Sequence, residues 1–134
     1  MRTIKRAGLF AISSVFLIGS AAAAELTGAQ IKELFSGKTV YLENTATSTA
    51  GVGQGILYYA TDGSAVYKTG RGLLHGPWSI KENTLCIDWK EVPNNPCSRY
   101  DKQGDTITVI NVATGQPRGK ILKIVAGNPE KLAP

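Results

Sequence analysis

The chain is poor in the side chains from which active sites and metal centres are usually built. Its 134 residues include one histidine, two cysteines and one methionine. No Asp-x-Asp or Glu-x-x-His spacing, calcium-loop pattern or Gly-x-Ser-x-Gly elbow occurs, so no pattern for metal-dependent or serine-nucleophile chemistry is present. We therefore expect no enzyme activity, no catalytic residue, no metal and no cofactor.

The one histidine illustrates this poverty. His75 lies in Arg71-Gly72-Leu73-Leu74-His75-Gly76, which we interpret as a glycine-flanked turn. A general base needs a nucleophile and an orienting acid nearby, and the adjacent sequence supplies neither. We predict a loop histidine with no catalytic role.

The sequence also lacks an apolar run long enough to cross a membrane. Residues 9–18 are apolar and follow three basic residues, and a small-residue run then leads through Ala24 to Glu25. A bilayer span needs about 20 apolar residues, whereas a basic start, a short apolar middle and an Ala-x-Ala site are typical of a secretory signal peptide. We predict that residues 1–24 are a signal peptide cleaved between Ala24 and Glu25. The mature protein, residues 25–134, is then a single periplasmic or secreted domain.

Clustered positive charge is missing as well. The formal net charge is +5, but three basic residues leave with the signal peptide. The mature chain then has 12 Lys and Arg against 10 Asp and Glu, scattered singly. Such a distribution cannot follow a phosphate backbone, so nucleic acid is not expected as a partner.

Cys86 and Cys97 are the two cysteines, and an exported protein meets an oxidising compartment. We interpret them as one disulfide. The alternatives are a two-cysteine metal site, which lacks further soft ligands, and a redox pair, which usually needs a two-residue spacing. A disulfide would turn the segment from Asp88 to Asn95 into a wide loop, stiffened by prolines.

One helix is predicted near the mature N-terminus, at about residues 27–36. Thr27 and Gln30 fit a capping box, and Ile31, Leu34 and Phe35 form one apolar stripe. So short a helix is not stable alone in water, and its stripe must pack on a larger element.

That larger element is a series of short strands separated by turn residues. The expected strands are 38–44, 53–60, 64–70, 76–81, 84–89, 97–102, 106–111 and 119–125. Connections this short require antiparallel neighbours, and closure removes the exposed edges of the sheet. We predict an all-β fold, a small antiparallel up-and-down barrel of six to eight strands whose helix plugs or flanks one end. A β-sandwich of the same strands is the alternative.

Two flexible segments are predicted beside the strands. Residues 45–51 are small and polar and are expected to form a mobile loop at the barrel rim. Gly51, Gly53 and Gly55 precede a strand, whereas a phosphate cradle follows one and leads into a helix. We interpret these glycines as a flexible lead into the second strand.

Aromatic residues concentrate on consecutive predicted strands. Since alternate strand residues point into a barrel, some of them either fill its core or line a ligand cavity. The ligand-lining candidates are Tyr58, Tyr67, Trp78 and Trp89.

Three segments carry a family resemblance: Tyr59–Gly63 with its Asp-Gly turn, Gly76–Ile80 with Gly-x-Trp, and Leu85–Trp89 followed by Cys97. With the helix at 26–37, they resemble a family of small uncharacterised exported proteins of Gram-negative bacteria. The resemblance implies a secreted, disulfide-containing, lipocalin-like β-domain, and it brings no activity with it.

These features favour a non-enzymatic binding module that holds a small apolar or aromatic ligand, or docks a cell-envelope partner through its rim. The alternative is a secreted inhibitor of a lysozyme or protease, which would present the loop at 91–96 beside the disulfide.

Overall fold

The structure is a computed structural model that describes residues 23–48 and 50–134. The predicted signal peptide lies outside the described residues except for Ala23 and Ala24. Thr49, in the predicted rim loop, also lies outside them.

The described chain contains one helix and nine strands, in the order β1 Ala24–Glu25, α1 Gly28–Phe35, β2 Lys38–Asn44, β3 Gly53–Tyr59, β4 Ser64–Thr69, β5 Gly72–Lys81, β6 Thr84–Ile87, β7 Ser98–Gln103, β8 Thr106–Asn111 and β9 Pro117–Ala126. From β2 to β9 each strand pairs antiparallel with the next, and β9 pairs back with β2. The protein is thus a closed eight-stranded up-and-down barrel with one additional strand. The predicted barrel is confirmed and the β-sandwich alternative is wrong, because pairing of β9 with β2 leaves no edge to separate two sheets.

The helix covers one end of the barrel, which we call the closed end. Its capping box is present: Gln30 N donates to Thr27 Oγ1 and Thr27 N donates to Gln30 Oε1, at 3.2 and 2.9 Å. Ile31 and Phe35 are fully buried, and the Phe35 ring stacks on Tyr59 with centroids 5.2 Å apart. The apolar stripe therefore packs into the barrel, as a helix of two turns requires.

The loops at 45–52, 70–71, 88–97 and 112–116 lie at the opposite end, which we call the open end. The first of them crosses the rim. Thr45 N donates to Arg118 O at 2.9 Å and Thr47 Oγ1 donates to Pro117 O at 2.6 Å. Ala50 belongs to the hydrophobic core. The described part of this loop thus folds inward over the barrel.

Strand β5 is longer than its sequence predicts and begins at Gly72 instead of Gly76. Thr69 pairs with Gly72, so Gly70 and Arg71 form a two-residue hairpin turn. The prediction that His75 lies in a turn is wrong, because the glycines that flank it stand inside a strand. Gly76 is needed there for packing, since a Cβ at this position would lie 2.1 Å from Asp88 O.

The barrel wall has one weakly paired seam, between β6 and β7. Leu85 and Ser98 are the one residue pair that joins these two strands. The Cys86–Cys97 disulfide lies one residue further along the same register and confirms the predicted pairing. On the side of the seam away from the disulfide, β1 pairs with β7 through Glu25 and Asp101. The N-terminal segment thus occupies the edge of β7 that β6 leaves unpaired.

Candidate functional site

The barrel interior contains a partly open cavity of about 60 Å³ between the closed and open ends. Aromatic rings form its closed-end floor and loop residues bound it at the open end. The floor residues are Phe35, Tyr59 and Tyr100, and the open-end residues are Ser48, Asn95 and Pro96. A volume of this size holds a few waters or a small organic molecule, and it is well below the roughly 300 Å³ at which pockets for drug-sized ligands begin.

Arg118 is the only charged side chain among the described residues that line the cavity. Its Nη1 donates to Pro96 O at 3.1 Å and to Ser98 Oγ at 3.0 Å. Burial lowers the pKa of its guanidinium, yet arginine stays protonated at neutral pH. The interior therefore holds a permanent positive charge beside the start of β7.

Arg118 points inward because of a β-bulge. Val109 of β8 pairs with Gly119 and Ile110 pairs with Pro117, so Arg118 is the extra residue between two successive pairs. A bulge redirects a side chain that regular alternation would place on the other face. The sequence offers no signal for it beyond Pro117, which interrupts regular pairing.

Three tyrosines line the same cavity as Arg118. Burial raises the pKa of Tyr59 well above its usual value and raises the pKa of Tyr100 to about 12. Burial also raises the pKa of Tyr67, while a hydrogen bond from Asn44 lowers it in part. All three hydroxyls are therefore protonated at neutral pH, and those of Tyr59 and Tyr100 hydrogen-bond to each other.

Two of the four predicted ligand residues line the cavity. Tyr67 and Trp89 do so side by side, with ring centroids 5.8 Å apart and an interplanar angle of 30°. Gly55 makes this placement possible, since a Cβ there would lie 2.5 Å from the Tyr67 ring. Gly55 stands inside β3 and thus has a packing role that the interpretation as a flexible lead missed.

The other two predicted residues lie elsewhere. Trp78 is buried in the core, where its Nε1 donates to Ala60 O at 2.9 Å and its ring meets the edge of Tyr59. Tyr58 is only half-buried, because its neighbours Leu57 and Tyr59 face the interior. In the Ile56–Tyr59 segment both alternating sets of side chains are apolar. The alternation alone therefore could not show which set faces the interior.

His75 has an acidic partner on the outside of the barrel. Its Nδ1 lies 2.8 Å from Glu91 Oε1, and its backbone N–H donates to Glu91 Oε2 at 2.8 Å. The backbone hydrogen bond, followed by the imidazole contact, lowers the pKa of the Glu91 carboxyl. The pair fastens the loop at 88–97 to β5, and the sequence missed it because 16 residues separate the partners.

The same loop forms one wall of an open surface groove of about 850 Å³. Outward-facing β5 residues form the other wall, and both disulfide cysteines line it. Asn95 anchors the loop from within, because its Nδ2 donates to Trp89 O and Val92 O at 3.2 and 2.9 Å. The predicted wide loop between the cysteines is confirmed.

Within residues 23–48 and 50–134, no group of three or more His, Cys, Asp or Glu side chains is placed to hold a metal ion. No helix in this part of the chain has the length and apolarity to cross a membrane.

The protein is a closed eight-stranded antiparallel barrel with a small interior cavity. Aromatic rings form the floor of the cavity, and Arg118 gives it a positive charge near the open end. Comparison of the chain with protein-family models, with curated proteins and with solved structures gives no match. The resemblance to the family of exported bacterial proteins therefore stays a prediction.

Proposed function

We propose that the protein is an exported, non-enzymatic barrel that binds a small molecule in its interior cavity. The observation that carries the proposal is the juxtaposition of Tyr67 and Trp89 with the half-buried Arg118 around one cavity. Aromatic walls with a few placed polar groups are the usual composition of small-molecule sites. The signal-like N-terminus and the disulfide support export, and the mass of the mature protein tests it, with Glu25 expected as the first residue.

The cavity limits the size of the ligand. About 60 Å³ admits a molecule of a few heavy atoms, or a slightly larger one that displaces the open-end loops. A long lipid or a porphyrin does not fit so small a space, so a ligand screen should concentrate on small metabolites.

Occupying the cavity with a side chain tests the proposal. Val109 lines the cavity, and Val109→Phe should fill part of it. Val112, whose side chain is 45% exposed at the open end, supplies the matched control Val112→Phe. A metabolite screen by thermal shift and native mass spectrometry should find a ligand for wild type and V112F that V109F no longer binds. Absence of any hit, or equal binding by a folded V109F, would overturn the proposal.

A second candidate function uses the outside of the barrel. The loop at 88–97 is held by the disulfide, by Asn95 and by the His75–Glu91 pair, and it exposes Pro93 and Asn94. A rigid exposed loop is a means of blocking an enzyme's active site, which supports an inhibitor of a lysozyme or protease. Inhibition assays against such enzymes test it, with Pro93→Gly/Asn94→Ala expected to abolish inhibition and Thr114→Ala on a different loop expected to preserve it.

The rim also supports docking to a cell-envelope partner. Three of the most exposed large apolar residues among those described, Val52, Leu73 and Val112, lie at the open end. Exposed apolar residues gathered at one end favour a contact surface. Crosslinking from these positions in envelope extracts, compared with Leu122 on the barrel wall, would test this version. Equal crosslinking from both places would count against it.

A further inference from the structure

The residues that line the interior cavity indicate the chemical class of its ligand. We propose that it binds a small organic monocarboxylate, whose carboxylate is held by Arg118 and the Tyr67 hydroxyl and whose apolar body lies against the aromatic rings. This inference rests on the proposed function and adds the chemical class of the ligand.

The first support is the sign of the charge in the cavity. Arg118 is the sole charged group in the described lining, and no Asp or Glu belongs to that lining. A neutral ligand would remove water from this half-buried cation and return no charge to it, which is costly. An anionic ligand restores the lost solvation by direct attraction in a medium of low dielectric constant.

The second support is the type of hydrogen-bonding group. Tyr67 accepts a hydrogen bond from Asn44 Nδ2, so its own hydroxyl hydrogen remains to be donated. The Tyr59 and Tyr100 hydroxyls hydrogen-bond to each other, whereas Tyr67 lines the same cavity as Arg118. A ligand group that contacts both Tyr67 and Arg118 needs to accept hydrogen bonds, as a carboxylate does.

The third support distinguishes a carboxylate from a phosphate. One arginine supplies a single positive charge, whereas a phosphate group carries close to two negative charges at neutral pH. The planar guanidinium matches the two oxygens of a carboxylate in shape. Much of the remaining lining is apolar or aromatic, for example Val40, Leu57 and Trp89, and it suits a short hydrocarbon or ring better than a polar body.

The test compares acids with their neutral amides. Purified mature protein is titrated with acetate, butyrate and benzoate, and with acetamide, butyramide and benzamide, by calorimetry and by tryptophan fluorescence. At least one acid is expected to bind wild type about tenfold or more tightly than its amide, because charged hydrogen bonds are the stronger ones.

Variants then locate the preference. Arg118→Gln is expected to abolish the difference between acid and amide. Arg99→Gln is the matched control, because Arg99 points outward and pairs with Asp101 at 3.7 Å, and it should keep the wild-type preference. Tyr67→Phe removes one donor and leaves the charge, so it should weaken acid binding several-fold and amide binding by less, because a hydrogen bond to a carboxylate is stronger than one to an amide oxygen. Y67F thus also provides a readout if R118Q does not fold.

The outcomes separate this inference from the proposed function. Amides that bind as well as acids, or a preference that survives in both R118Q and Y67F, would overturn the carboxylate while leaving a ligand-binding barrel in place. Failure of every acid, combined with a neutral hit from the metabolite screen, would have the same meaning. Failure of every acid and of the whole screen would overturn both.

Discussion

Cys86 and Cys97 face each other directly across the seam between β6 and β7, with Cα atoms 4.3 Å apart. The backbone joins these strands through the Leu85–Ser98 pair alone. The disulfide is therefore a covalent substitute for the hydrogen bonds that the other strand pairs have in number, and it also sets the base of the loop at 88–97.

We predict that loss of this crosslink destabilises the barrel locally first. Cys86→Ser/Cys97→Ser should lower the free energy of unfolding by about 2 to 3 kcal/mol, as expected for a short closed loop. Denaturant titration measures the loss, and hydrogen exchange should accelerate in the loop at 88–97 and in β7 before it does in β2 and β3. Equal acceleration in all strands would contradict the assignment of the seam as the weak point. Reductant should destabilise wild type and leave the double variant unchanged.

Gly76 is predicted to be intolerant of a side chain. A Cβ there would lie 2.1 Å from the backbone oxygen of Asp88, so Gly76→Ala must displace the loop and should cost about 1 to 3 kcal/mol. Gly70→Ala is the matched control, because nothing lies within 4 Å of a Cβ at that position. Thermal unfolding compares the two variants. A G76A protein as stable as G70A would show that the loop does not pack on β5 as described.

The His75–Glu91 contact predicts that part of the free energy of unfolding is lost at acidic pH. The pKa of Glu91 is lower in the folded protein than its usual value of 4.5, so the ionised carboxylate stabilises the fold above that pH. This contribution is lost as the pH falls through the lowered pKa. Glu91→Gln should remove it, and the free energies of unfolding of wild type and E91Q should converge as the pH falls below 4.5.

A second acidic site serves as a control for that measurement. Hydrogen bonds from Ser64 lower the pKa of Asp62, at the turn between β3 and β4. Asp62→Asn should therefore show a similar convergence while leaving the loop at 88–97 in place. Parallel curves for wild type and E91Q across the acid range would contradict the role given to Glu91.

The buried tyrosines predict that the fold loses stability at high pH. Burial raises the pKa of Tyr100 from 10.0 to about 12, so its neutral form stabilises the fold fully below pH 10 and this contribution disappears as the pH rises towards 12. Tyr100→Phe cannot ionise and should shift the midpoint of alkaline unfolding to higher pH. Tyr58→Phe, on the outer face, should leave that midpoint unchanged. Absorbance at the tyrosinate band records ionisation, and circular dichroism records unfolding. A Y100F variant with an unshifted midpoint would contradict the role given to neutral Tyr100.

Local chemistry was sufficient to predict most of the elements. The helix follows from the Thr27–Gln30 capping box and an apolar stripe, and turns such as Asp62-Gly63 end one strand and begin the next. The antiparallel order follows from the shortness of the connections. The disulfide follows from two cysteines in a chain with a signal-like N-terminus. These inferences need only neighbours within a few residues, or counts over the whole chain.

Tertiary structure decided the parts that depend on distant residues. Pairing of β9 with β2 closes the barrel, the bulge opposite Val109 and Ile110 turns Arg118 inward, and a separation of 16 residues hides the partnership of His75 with Glu91. The inward choice of Tyr59 over Tyr58 depends on the register with β2 and β4. A period-2 pattern shows that side chains alternate between the two faces of a strand. It does not show which set faces the interior when both sets are apolar, and a bulge exchanges the two sets locally. The sequence by itself therefore determined which segments are strands, and only the closed barrel decided which side chains share its interior.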